Sequence, residues 1–442
     1  MSGCVDDSAA VRFSPHLSDA CRPHLLMVFA AGLLYGVFLL VNGSRNRMGL
    51  ALSCVLMGVS LIAALLCWRK NRRTVCEITQ GACRVVSPGG EKTMKLCALD
   101  RVEVRSGIFP GSGRVRIYSH AAHRAWLSVR LSEKDSQALV DAAVQLGKET
   151  GRTLSGRHST VAYALASEKT AAPVIVSLQF MLLAGGSMAM NAMAYAMLWA
   201  AVGNIVVTVL SSCRLSLIRY ENGCRVSMGW LWYRSVFIPD GSMAGAAVRR
   251  GPAELLCGTG SVCLVTEGGS KIPCMRMLPE KEILPDVRRI LDAQGKAFVS
   301  FCDEKTLSRQ YALQFTAGMF SSVLTAIFAF MADDTALRFL TCMGFSFFTL
   351  SAIGSLAGMR CASRWGLKVS PSCVLSAGTA GCCCVALCVR RHKISGIQIH
   401  SPLLWRMNDL CRAGLLTGVG SSGVWSEGVA YDALKSFVCR FG

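Results

Sequence analysis

Residues 171–213 read AAPVIVSLQFMLLAGGSMAMNAMAYAMLWAAVGNIVVTVLSSC, and only Tyr195 and Cys213 within them can ionise. A membrane helix needs about 20 mostly apolar residues to cross roughly 30 Å of hydrocarbon. This stretch is too long for one crossing and fits two, joined by a tight turn near 187–191. The pattern recurs on either side: residues 25–41 pair with 48–68, 173–189 with 192–210, and 312–332 with 339–358. The reading is six transmembrane helices in three hairpins. Composition agrees: 52% of residues are hydrophobic and 17% charged, where a soluble domain carries nearer a quarter charged. Buried core helices of a large soluble protein are the competing reading, but they do not predict apolar segments in pairs. The first span starts only after Asp6, Asp7 and Asp19, and a second follows at once. It reads as an uncleaved anchor rather than a signal peptide.

Positive charge sets the expected orientation. Arg69, Lys70, Arg72 and Arg73 crowd the end of the second span, Arg214 and Arg219 follow the fourth, and Arg360, Arg364 and Lys368 follow the sixth. Lys and Arg near span ends favour the cytoplasmic side. Arg45 and Arg47 in the first turn oppose this but are fewer, and the last turn carries Asp333 and Asp334. The expectation is a multi-pass protein of the cell (inner) membrane, with both termini and all soluble segments in the cytoplasm.

The soluble segments repeat an order of strands followed by a helix. In the first, Arg114-Val115-Arg116-Ile117-Tyr118 alternates as a half-buried strand does. Ser132-Glu133-Lys134-Asp135 then opens a helix, with Leu139 and Leu146 at helical spacing. Val104-Arg105-Ser106-Gly107 matches Val248-Arg249-Arg250-Gly251, and Gly111-Ser112-Gly113 matches Gly258-Thr259-Gly260. A helix after Pro279 places Ile283 and Val287 on one face. The third segment offers Ile397-Gln398-Ile399-His400-Ser401-Pro402, a Gly418-Val419-Gly420 turn, and a closing helix over 429–438. The predicted layout is a cytoplasmic tail (1–24), a hairpin (25–68), a domain (74–150), a linker (151–171), a hairpin (172–212), a domain (214–297), a hairpin (311–359) and a domain (364–442).

On these residues the chain resembles the bacterial pleckstrin-homology-like membrane proteins of the YdbS/YdbT type, and within them the longer member with three repeated units. The stretches 235–278 and 389–430 carry the likeness best, and the first unit has Ile108 where the others have proline. The resemblance implies that each soluble segment is a small antiparallel PH-like barrel or sandwich closed by a C-terminal helix. It further implies a smaller family member as protein partner and a role in envelope integrity or resistance to membrane-active peptides. It supplies no catalytic residues.

Catalytic signatures are sparse. GxGxxG at 418–423 is followed by Val424-Trp425-Ser426-Glu427-Gly428 rather than a helix start, so a hairpin turn is favoured over a nucleotide cradle. His120 and His123 are read as a surface pair with no carboxylate close by. The sequence has 22 cysteines but no CxxC, so zinc-ribbon and thioredoxin spacings are missing. Cys382, Cys383, Cys384 and Cys388 are read as small buried hydrophobes of a reducing compartment, a metal or redox site being the rival reading. No catalytic, cofactor or metal site is expected. The apolar runs carry polar Gln179, Asn191, Asn204 and Gln314 within them or at their edges, but no midplane charge of the kind an ion-coupled carrier keeps. Gly354 and Gly358 form a GxxxG spacing that suits close helix packing.

Net charge is +20. Anionic lipid attracts nearby Lys and Arg by about 1 kcal/mol each. Arg249, Arg250, Arg390, Arg391 and Lys393 lie inside the soluble segments, where topology signalling does not explain them. They are the candidate contacts to anionic phospholipid or a protein partner. No aromatic-interleaved basic stripe points to nucleic acid. The sequence thus predicts a membrane-integral lipid- or protein-binding scaffold that is not an enzyme, with a transporter or exporter component as the alternative.

Overall fold

The computed structural model describes residues 11–13, scattered helical positions between 32 and 69, and, with short internal breaks, 75–145, 148–149, 154–155, 160–230, 233–291, 299–302, 304–362, 366–401 and 410–435. The first predicted hairpin lies mostly outside the described residues. Its described positions 55, 58–63, 65, 66 and 69 are helical, and Val55, Val59, Ile62 and Leu66 point outward. The chain divides into two compact units: residues 1–150 with 220–224 and 232–239, and residues 151–219 with 225–231 and 240–442.

The first unit opens with β1 (Val11–Phe13), β2 (Val75–Ile78), β3 (Ala82–Ser87) and β4 (Gly90–Lys95), an antiparallel sheet in that order. After a 3-10 turn at Leu96–Ala98 come β5 (Leu99–Ser106), β6 (Ser112–Ser119), β7 (Leu127–Ser132) and helix α1 (Glu133–Val144). Ser132 caps α1 by accepting a hydrogen bond from the Asp135 amide at 3.1 Å. Glu133 and Asp135 place negative charge at the positive end of the helix. Alternation along the strands turns Cys76, Ile78, Val85, Val102, Val115, Ile117 and Val129 inward, where they meet Leu139 and Val140 of α1 in one core.

The second unit holds β8 (Leu154–Ser155), α2 (Thr160–Ala166), α3 (Glu168–Leu183), α4 (Met188–Ser212), β9 (Ser216–Tyr220) apart from its last residue, and β10 (Gly223–Met228) from Arg225 on. The chain then lends β11 (Arg234–Pro239) to the first unit and turns at Asp240–Ser242. It resumes in the second with β12 (Met243–Arg250), α5 (Pro252–Leu256), β13 (Thr259–Thr266), β14 (Lys271–Pro279), α6 (Glu280–Ile290) and β15 (Val299–Ser300). Long helices α7 (Glu304–Met331) and α8 (Thr335–Ala362) lead to β16 (Lys368–Val369), β17 (Cys373–Ala380), β18 (Cys383–Arg390), a turn at Arg391–Lys393, β19 (Ile394–His400), β20 (Leu410–Thr417) and β21 (Gly420–Ala430).

Two expectations are corrected. Among the described residues only three helices are long and apolar enough to cross a membrane: 188–212, 307–331 and 335–360, with mean hydropathies of 1.8, 1.5 and 1.6. Helix α3, expected to span, has 16 residues and begins with Glu168 and Lys169. The apolar part of its described residues reaches about 20 Å, against roughly 30 Å of hydrocarbon. Helices α7 and α8 pack closely, with Tyr311 against Gly358 and Gly318 against Ala352. A hydrogen bond of 2.8 Å joins Ser322 and Thr349 across the pair. Trp199, Phe320, Phe330 and Phe347 face outward.

The second correction concerns the soluble segments, which are not three self-contained PH-like barrels. The strands form four antiparallel sheets among the described residues, and these are shared between segments. A strand, a 3-10 turn and a second strand recur three times: β4 and β5, β11 and β12, β18 and β19. The strand after the turn pairs with the strand before the turn of the next copy. Thus Val102 lies opposite Phe237 in β5 and β11, and Ala246 opposite Cys388 in β12 and β18. Strand alternation dictates which face is buried but not which chain segment fills the edge. That is why the repeat was legible and its splicing was not.

Candidate anion-binding surface

The splicing of β11 onto β5 brings several arginines together on one face of the first unit. Val115 and Ile117 of β6 fill the core, so Arg114 and Arg116 project from the opposite face. Register then aligns like charges. Arg130 of β7 lies opposite Arg114, Arg114 opposite Arg105 of β5, and Arg105 opposite Arg234 of β11. Four arginines therefore form one row across four strands. At the usual strand spacing of about 4.8 Å the row spans roughly 14 Å. Arg116 stands in the next row, opposite Ser128 and Glu103. Arg114 is exposed, while Arg116 and Arg130 are half-buried.

Glu103 anchors one end of the row. Its carboxylate accepts from Arg105, lies 2.6 Å from Arg234 Nε and receives the Tyr118 hydroxyl at 3.2 Å. Burial pushes its pKa upward, but these partners outweigh burial and hold it below the ordinary glutamate value. Burial in turn lowers Arg234, with Glu103 opposing. Nearby, Arg101 pairs with buried Asp100 at 2.5 Å and lays its guanidinium 3.7 Å from the centre of the Tyr118 ring. Asp100 also approaches His120 at 3.5 Å. This corrects the expectation that no carboxylate stands near His120; His123 lies outside the described residues.

The five arginines and lysines singled out from the sequence are scattered and mostly occupied. Arg250 is buried, 3.0 Å from Glu280, and donates to the Thr259 carbonyl at 2.9 Å. Arg249 is exposed and donates to Cys383 at 3.6 Å. Arg390 donates to the Asp240 carbonyl at 3.2 Å. Lys393 donates to the Gly241 carbonyl at 2.7 Å and pairs with Glu267. Arg390 and Arg391 do meet, together with His392, Ser372, Pro371, Leu291 and Ile394, around a cavity of about 670 Å³. Burial, then the charges of Lys393 and Arg390, hold His392 below its ordinary pKa. In register, Arg250 and Arg390 occupy opposite ends of the β12–β18 pairing, about 20 Å apart.

Two bonds tie that sheet and its neighbouring helix to the long apolar helices. Arg276 of β14 donates to the carbonyl of Ser212, the last residue of α4, at 3.4 Å. Arg360 of α8 donates to the Leu255 carbonyl of α5 at 2.9 Å. Arg249 and Arg250 lie at one end of the β12–β18 pairing, and the Arg390–Arg391 cavity at the other. Among the cysteines, Cys383 and Cys388 are buried thiols, whereas Cys384 is disulfide-bonded. That departs from the reading of the whole group as plain buried thiols. Residues 420–423 of the glycine motif are strand, opening β21 after β20 ends at Thr417. Among the described residues no group of three or more His, Cys, Asp or Glu side chains could hold a metal ion. No family model matches the chain, and neither does any curated protein.

Proposed function

We propose that this protein is a multi-pass cytoplasmic-membrane binding platform, whose first unit holds anionic phospholipid headgroups and whose second presents shared sheets to protein partners. The observation that carries the reading is the row Arg130, Arg114, Arg105 and Arg234. Four arginines opposed across strands concentrate positive charge on one face, which Glu103 offsets at one end. Anionic lipid attracts each such residue by about 1 kcal/mol near the surface. Proximity supports it: β2 starts six residues after helical Arg69, a tether of at most about 20 Å. Arg214 after α4 and Arg360 near the end of α8 favour the cytoplasmic side, and the pairing of β5 with β11 supports one side for the chain before α3 and after α4. The Cys384 disulfide weighs against the cytoplasmic side, since disulfides are rare in reducing compartments.

The test is arginine modification by phenylglyoxal on the full-length protein in lipid discs, read by peptide mass spectrometry. Arg114 and Arg130 should react at least about threefold more slowly in discs with about 30% phosphatidylglycerol than in phosphatidylcholine alone. Salt at ~0.5 M should erase the difference. Equal rates in both lipids would remove the headgroup reading.

A further inference from the structure

Among the described residues, the repeat leaves two strand edges without the neighbour that the other copies have. Strands β5 and β12 are each covered on one edge by the next copy, and they are largely buried. Strand β19, the equivalent strand of the third copy, ends its three-stranded sheet among the described residues. Ile399 and His400 there are exposed. Strands β11 and β18 are likewise buried, whereas β4, their equivalent in the first copy, ends its four-stranded sheet and has one buried residue, Met94.

The halves are complementary. In the completed sheet of the second unit, three strands (β14, β13, β12) join four (β18, β17, β16, β15) through the β12–β18 pairing. The open halves are three strands ending in β19 and four ending in β4. We infer that β19 of one molecule adds antiparallel to β4 of a second copy, completing the same seven-stranded sheet between chains.

The internal junctions dictate the register. The fourth residue of β5, Val102, faces the third from the end of β11, Phe237. The fourth residue of β12, Ala246, faces the third from the end of β18, Cys388. Applied to the open edges, the rule sets Ile397 opposite Thr93, Gln398 opposite Lys92 and Gly396 opposite Met94. Gly396 falls at the position of Gly245, where a Cβ would stand 2.2 Å from the Cys388 carbonyl oxygen. Among the described residues of its own chain, a Cβ on Gly396 meets only Leu416 Cδ1, at 3.4 Å, and Leu416 Cβ, at 4.0 Å. Glycine there suits an approaching strand rather than the molecule's own packing. Head-to-tail addition of this kind closes into a ring or propagates as a row in the membrane plane.

The test uses full-length protein in detergent, with two differently tagged forms co-expressed and a photo-crosslinking amino acid at Gln398. The expected result is an oligomer by native mass spectrometry, with the crosslink captured on 91–95 of the other tagged form. Gly396→Ala and Gln398→Lys should each shift the population to monomer while the thermal transition is kept. The lysine acts by facing Lys92, an edge charge of the kind that blocks strand addition. A wild-type monomer would overturn the inference. So would an oligomer unaltered in both variants with its crosslinks elsewhere.

Discussion

Replacing Gly245 by alanine tests the shared sheet of the second unit at its tightest point. The new Cβ would stand 2.2 Å from the Cys388 carbonyl oxygen and 3.0 Å from Val389 Cα. Both obstacles are backbone, so no rotamer change relieves them. Restoring an ordinary contact moves β12 and β18 apart by about 1.2 Å. A hydrogen bond stretched that far is no longer one. Losing two ladder bonds costs about 2 kcal/mol, or a roughly thirtyfold rise in the local opening constant. Hydrogen exchange of the full-length protein in detergent, read by mass spectrometry on peptides covering 384–389, measures it. Those amides should exchange faster in Gly245→Ala. Gly241→Ala, where a Cβ meets nothing within 4 Å, should leave them unchanged. Unaltered protection in Gly245→Ala would mean that β12 and β18 are not joined, and the splicing of copies would fail with it.

Glu103→Gln should lower the first unit's stability by about 2 kcal/mol, because Arg105 and Arg234 lose the charge they share. The folded pKa of Glu103 is lowered, so its contribution is full above the unfolded carboxylate value of about 4.3 and fades as pH falls through the folded value. Proteolysis of the first unit should therefore rise in acid, and the variant should lack that dependence. Arg250→Ala should cost about 3 kcal/mol, since it leaves Glu280 without its buried partner, while exposed Arg391→Ala stays within about 0.5 kcal/mol; thermal melts compare them. Gly358→Leu should destabilise the α7–α8 pair by about 1–3 kcal/mol, as a Cβ there already meets the Tyr311 ring at 2.4 Å, and detergent melting curves would show it.

Local features were legible because they depend on short-range chemistry. The Ser132 cap, the alternation of Arg114 to Tyr118 and the apolar face of α6 each follow from residue spacing, and Ile283 and Val287 are indeed buried. Strand partners were not legible. Arg105 and Arg234 are far apart in sequence, and nothing local announces that they lie opposite each other. The arginine row exists only through that pairing, so sequence reasoning noticed Arg114 and Arg116 but not the row. Basic residues also look alike in sequence whatever the fold sets beside them. Arg250 and Lys393 were chosen for their charge, and each is matched to a carboxylate that only the fold brings near. Helix α3 was expected to start at about residue 172, but it begins with the charged Glu168 and Lys169, and residues 184–187 of the expected span lie outside the described residues.

Trypsin sidedness tests the platform most directly. In inverted membrane vesicles, the account predicts cleavage at Arg130 and Arg391, from the first and second units, with Arg338, beside the α7–α8 turn, left uncut. In spheroplasts the same arginines should survive. Cleavage of Arg130 or Arg391 from the outer face of spheroplasts would contradict the cytoplasmic placement, and with it the binding of anionic inner-leaflet lipid.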